Sequence, residues 1–179
     1  MRDFALKVSL FGKHPSSSEY LYFGHTSEFI NSVAKWIENG YEALLQSRIS
    51  KRSSEVHHFC FVNKSDNTIV TGSLKLNKDS RGREYPLVIA VEISPYSSFG
   101  NSQEVMEFTK GINKKILAIF EKECSLEELK KELSQLVSYE DICNDGENKI
   151  SAIFMDEKFS QANMFFRPLE INDFVKMMG

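Results

Sequence analysis

The sequence predicts an α+β fold: an antiparallel β-meander sheet with long amphipathic helices packed against it. Three observations lead there. A stretch of apolar residues at three- and four-residue spacing separates a first strand from a run of three further strands. Those strands are joined by connections too short for crossover helices, so neighbours run antiparallel. The segment Leu87-Val88-Ile89-Ala90-Val91 is almost continuously apolar, as expected of a central strand covered on both faces. A doubly wound parallel sheet would instead alternate strand and helix throughout.

The elements follow in chain order. Residues 4–11 place Leu6, Val8 and Leu10 on one side of a strand, and Gly12-Lys13-His14-Pro15-Ser16-Ser17-Ser18 is dense in turn formers. A helix is expected over 27–47, with Phe29, Ile30, Val33, Trp36, Ile37, Tyr41, Leu44 and Leu45 on one stripe and Thr26 or Ser27 as its cap. Strands are expected at 56–62 and 68–77, joined by the turn cluster at 63–67. In the second of them Val70, Gly72, Leu74 and Leu76 mark a buried face, and Thr71, Ser73 and Lys75 a wetter one. Residues 78–83 turn the chain into the central strand at 84–93. Asn101 with Glu104, and Ser125 with Glu128, each resemble a capping box opening a helix, the first to about 121 and the second through Val137. Residues 144–148 read as a loop, 149–155 and 164–169 as late strands after it, and 171–178 as a terminal helix. One domain over 1–179 is expected, with its core at about 5–122 and a C-terminal part at 123–179.

Composition excludes several function classes. The chain has 179 residues, 41% of them hydrophobic and 26% charged, as soluble globular domains do. Net charge is −3, and the short pairs Lys51-Arg52 and Lys114-Lys115 make no basic block, which argues against nucleic acid. Cys60, Cys124 and Cys143 are odd in number and widely spaced, which suits buried thiols in a reducing compartment. Neither a leader pattern nor an apolar run of bilayer-spanning length is present, so a cytoplasmic location without membrane insertion is expected.

Catalytic and metal-binding patterns are weak. His57-His58-Phe59-Cys60 is the richest cluster, but adjacent strand residues point to opposite faces, so His57 and His58 read as half-exposed strand residues. Gly12-Lys13 lacks the upstream glycine and following hydroxyl of a phosphate loop. No enzyme, metal or cofactor is expected. A small hydrolase or transferase using His14, His25, or Asp79 with Arg83 is the competing reading, and a structural subunit is a third.

Two segments carry a more specific signal. The first is Phe11-Gly12-Lys13-His14-Pro15 with Glu19-Tyr20, followed by Phe29 and Trp36-Ile37-Glu38-Asn39-Gly40. The second is Gly72 followed by Asp79-Ser80-Arg81-Gly82-Arg83-Glu84-Tyr85-Pro86-Leu87. Together they resemble the TagF (ImpM) family of type VI secretion proteins, over about residues 5–95. Ser18-Glu19-Tyr20 replaces the family's Gly-Asp-Phe, and Asn77-Lys78 replaces a Pro-Ser pair, as in a divergent short member. The resemblance implies a non-enzymatic cytoplasmic regulator of type VI secretion that acts after translation on assembly or firing. It also implies binding to other secretion proteins, classically the forkhead-associated scaffold, with no small-molecule ligand and no phosphatase domain.

Read physically, Arg83 offers a planar donor fork to a carboxylate, with Asp79 or Glu19 as acceptor. Gly82 supplies positive φ, or room where a side chain would clash. Lys13, Glu19, Asp79, Arg81 and Arg83 are the candidate partner-binding residues, and an internal pin between the two loops is the alternative for Arg83. Gly12, Pro15, Trp36, Gly82, Tyr85 and Pro86 read as structural, with Pro86 starting a strand where its missing N–H is tolerable.

Overall fold

The computed structural model describes residues 4–47, 55–122, 124–136, 152–155, 162–165 and 170–178. Their elements are β1 (Ala5–Gly12), β2 (Leu21–Gly24), α1 (Glu28–Gln46), β3 (His57–Asn63), β4 (Thr68–Lys78), β5 (Glu84–Ser94), α2 (Ser102–Phe120), α3 (Leu126–Leu136), β6 (Ala152–Met155), β7 (Ala162–Phe165) and α4 (Ile171–Met178). All seven strands form one sheet in the order β2-β1-β5-β4-β3-β6-β7, and every neighbouring pair is antiparallel. The expected meander is β3-β4-β5, and β1 returns along the free edge of β5. The sequence reading missed β2, which pairs with the end of β1 through Gly12↔Leu21. Cys143, Lys51-Arg52, Val137 and the expected loop at 144–148 lie outside the described residues.

Both faces of the sheet are covered, because β5 alternates between two apolar clusters. Leu87, Ile89, Val91 and Ile93 face α2 and α3; Val88 and Ala90 face α1 and α4. The helices match. Ile30, Val33, Ala34, Ile37, Tyr41 and Leu44 of α1 are buried at helical spacing, as are Val105, Phe108, Ile112, Ile116 and Ile119 of α2. Leu45, expected on the buried stripe, is exposed instead.

Two-sided cover also corrects the reading of β3 and β4. Thr71 and Ser73 do not lie on a wetter face; they are fully buried. Each hydroxyl is satisfied there, since Thr71 donates to Phe59 O at 2.9 Å and Ser73 Oγ meets His58 Nδ1 at 2.7 Å. His57 and His58 are likewise buried rather than half-exposed, on a strand flanked by β4 and β6.

Capping closes the helices as their side chains dictate. Ser27 Oγ accepts the Ile30 N–H at 3.1 Å and donates to the buried Glu92, which also meets His25 Nε2 at 3.2 Å. Asn101 Oδ1 accepts the Glu104 N–H at 2.9 Å, while Glu104 reaches back to Gly100 N–H at 2.9 Å. Ser125 and Glu128 form the reciprocal box, with Glu128 accepting from Ser125 N–H at 2.8 Å and Ser125 Oγ from Glu128 N–H at 3.3 Å.

On the α1 face, α4 is the last layer. Phe174 is fully buried against Gly40, and Trp36 stacks edge-on against Phe174 and Phe61 at 5.3 and 5.4 Å while its indole N–H donates to Glu170 O. Trp36 is therefore a packing aromatic. A Cβ on Gly40 would lie 2.3 Å from Phe174 Cγ, whereas one on the exposed Gly111 of α2 would meet nothing within 4 Å.

The same substitution thus has opposite signs at two helical sites. Gly111→Ala should stabilise by about 0.5–1 kcal/mol through helix propensity alone. Gly40→Ala gains the same propensity but overpacks Phe174, so a net loss of about 1–2 kcal/mol is expected. Urea denaturation of both variants measures the pair, and a stabilised Gly40→Ala would show that α4 moves aside freely.

Candidate functional site

The site is built where β1 ends and the β4–β5 hairpin turns. Gly12 has φ +114°, and a Cβ there would lie 1.9 Å from Pro86 O, so β1 can close against β5 only through glycine. The next residue, Lys13, donates its N–H to Pro86 O at 3.3 Å. Pro86 does not start its strand, as expected from sequence; it lies inside β5, opposite Leu76. Its N and C=O point to the same side, toward β1, whose ladder has already ended at Gly12↔Leu87. The missing donor therefore leaves no gap in the sheet.

The hairpin turn is organised by one carboxylate. Asp79 Oδ1 accepts the backbone N–H of Arg81 and of Arg83, both at 2.9 Å. Its Oδ2 takes Arg83 Nε at 2.8 Å and Lys13 Nζ at 3.2 Å. The Asp79 backbone closes the turn through Arg83 O at 3.0 Å and Gly82 N–H at 2.9 Å. Gly82 has φ +76°, yet a Cβ would meet nothing within 4 Å. Glycine is needed there for its backbone angle, and the expected steric reason does not apply.

The same group ties turn to loop. Arg83 Nη2 donates to Ser18 O at 2.6 Å, Ser80 N–H donates to Ser17 O at 3.1 Å, and Lys13 bridges from the far side of the loop. Arg83 thus pairs with Asp79 and not with Glu19, whose carboxylate accepts from the neighbouring Ser18 hydroxyl. The Asp79 side chain is completely covered. Burial works to raise its carboxyl, but hydrogen bonds from Arg83 N–H, the Arg83 guanidinium, Arg81 N–H and Lys13 outweigh it and hold it far below the usual carboxylate range.

An aromatic surface adjoins the pinned loops on the α1 side. Tyr85 packs edge-on between Tyr20 and Tyr41, at 5.7 and 5.1 Å, with the Lys13 ammonium 5.7 Å from its ring centre. Burial, then the charges of Glu38 and Glu42, push the Tyr85 hydroxyl up to about 12, so it stays protonated. Tyr20 donates to Glu38 at 3.0 Å. Tyr20, Tyr22 and Phe23 remain about two-fifths exposed, a concentration on and beside β2 that sequence reasoning missed. Tyr22 stacks on Phe11 toward α1, whereas Phe23 turns to the other face, 5.5 Å from the Lys130 ammonium of α3. The run Tyr20 to Gly24 between turn formers and a helix cap carries that signal, masked by its shortness.

Of the sequence-chosen residues, Lys13, Asp79, Arg81 and Arg83 converge at the turn, where Arg81 is exposed and contributes its backbone N–H. Glu19 lies exposed at the loop's end, beside Tyr20. Pro15 belongs to the other flank, where a cavity of about 460 Å³ opens beneath the loop toward α2 and α3. Cys124 lines it, so Cys60 alone of the described cysteines is fully buried. Among the described residues no group of three or more His, Cys, Asp or Glu is placed to hold a metal.

Comparisons with known proteins agree with the geometry. The family model described as TagF N-terminal domain, type VI secretion system-associated, matches residues 9–136. The chain is similar in fold to the crystal structure of PA0076 from Pseudomonas aeruginosa PAO1, with a TM-score of 0.66 at 14% identity, over 96% of this chain and 93% of that one. A search of curated proteins finds no match.

A carboxyl whose native pKa lies below its unfolded value stabilises the fold above about pH 4 and loses that contribution as pH falls toward the native value. Asp79→Asn should therefore lower the urea midpoint near neutral pH, and the gap to wild type should narrow below about pH 4. A gap independent of pH would show that shape, and not charge, fixes the turn.

Proposed function

The chain belongs to the TagF family of type VI secretion system-associated proteins, and from that membership we propose that it acts by binding other secretion-system proteins and not by catalysis. The observation that carries this reading is the Asp79 pin. It locks two loops into one platform, on which Arg81 and Glu19 are exposed, with the partly exposed rings of Tyr20 and Tyr22 on the α1 side. A preordered surface of that kind loses little conformational entropy on association, and tyrosine and arginine dominate interface energetics. Lys13, Asp79 and Arg83 then serve binding by holding the platform, with Arg81 and Glu19 as its polar contacts.

Chemistry at these positions is disfavoured. The Asp79 oxygens are saturated by cationic and backbone donors, which leaves no basic lone pair for proton abstraction. His25 is engaged by Glu92. Burial, then the charges of Glu128 and Glu132, push the Cys124 thiol up, the reverse of what a nucleophile needs. In this reading the protein is a cytoplasmic regulator of assembly or firing after translation, and the forkhead-associated scaffold is the partner that the family resemblance favours.

Affinity capture of the tagged protein from its own organism tests the proposal. Arg81→Glu with Glu19→Lys, both exposed side chains, should leave the melting transition unchanged and reduce recovery of type VI components by about tenfold or more, as loss of an interface hot spot does. Undiminished recovery would move the interface elsewhere, and wild type that recovers no such component would overturn the reading.

A further inference from the structure

The cavity on the α2/α3 side has a chemistry that the loop platform does not use. Its volume of about 460 Å³ lies within the range of small-ligand sites. Lys75 lines it from β4, on the same side of the strand as Ile69 and Thr71. Lys75 is half-buried, and among the described residues no carboxylate pairs with it. Lys122 also lines the cavity, but Glu132 already holds its ammonium at 2.9 Å.

His14 supplies a second donor. It is 7% exposed, and its Nδ1 accepts the Ser16 N–H at 3.2 Å and lies 2.8 Å from Ser16 Oγ. Burial lowers its pKa, so the ring is neutral near pH 7 and its proton resides on Nε2, where no partner engages it among the described residues. No Asp or Glu among the described residues lines the cavity, in a chain whose net charge is −3. Leu87 and Phe120 complete an apolar wall. A half-buried ammonium with no counterion and a neutral N–H donor, set against apolar carbon, complement an anion carried on an apolar body.

We infer that this cavity is a second binding site, which takes an acidic peptide segment: a carboxylate side chain between Lys75 and His14, with an apolar neighbour against Leu87 and Phe120. The choice of a peptide over a free acid rests on the protein-binding reading above.

Titration of the full chain with N-acetyl-Leu-Asp-Leu-amide, followed by amide NMR, tests it. The Asp peptide should shift the Lys75, Asn77 and Leu87 amides, and the Asn counterpart should bind about tenfold more weakly or worse, the scale of one charge-assisted contact. Lys75→Gln should bring the Asp peptide down to the affinity of the Asn peptide. If that variant fails to fold, the two peptides on wild type decide alone. Equal affinities, shifts that miss these amides, or binding of hexanoate without the peptide would overturn the inference. The two proposals fail separately, because peptide binding here does not depend on Arg81, and capture through the platform does not depend on Lys75.

Discussion

Everything in this molecule follows from a sheet that must be dry on both faces. Once α1 with α4, and α2 with α3, occupy the two sides, a polar group on an inner strand costs free energy unless it is hydrogen-bonded. Several of the polar residues that remain inside are bonded, although the buried Tyr96 hydroxyl and Asn113 Nδ2 have no hydrogen-bond partner among the described residues. Thr71 and Ser73 meet β3 partners, and Glu92 receives the Ser27 hydroxyl that also caps α1. Cover on both sides also drives solvent-facing variety out of the strands and into the connections at the ends of the sheet. Surface chemistry is concentrated there.

At one such end the connections are themselves fixed by charge. Asp79 is the centre of four donor contacts that arrive from three directions: its own turn, the Arg83 fork and Lys13 at the end of β1. A covered carboxylate with fewer partners would cost free energy, and with these it is held ionised. The loop from Gly12 to Tyr20 therefore inherits its shape from the hairpin. It divides what lies on either flank, an aromatic surface toward α1 and a cavity toward α3.

Most of the architecture is legible in the sequence because its signals are local. The cap Ser27, the Ser125-Glu128 box and the three- and four-residue spacing of α1 and α2 depend on near neighbours only, and the central strand announces itself by composition. What the sequence hides is long-range. Whether Thr71 faces water depends on α2, whose Asn113 meets its hydroxyl from 42 residues away, and the burial of Ser73 depends on His58 across the sheet. The same limit holds at the site. Asp79, Arg81, Gly82 and Arg83 stand together in the chain and read as a turn, but the choice of Asp79 over Glu19 as the acceptor of Arg83 needs the loop's position. Lys75 and His14 are unremarkable alone, and only the fold brings them to one cavity.

The contact of α4 with α1 carries a kinetic consequence. The Trp36 indole bonds to Glu170 O across 134 residues, and Gly40 packs against Phe174. During synthesis at about 5–20 residues per second, α1 emerges on the order of ten seconds before the helix that completes its cover. Through that interval Trp36 and the groove at Gly40 stand open on the nascent chain, and such non-local closure slows the final step of folding. α4 thus acts as the latch that ends the period in which this face is open to misassociation.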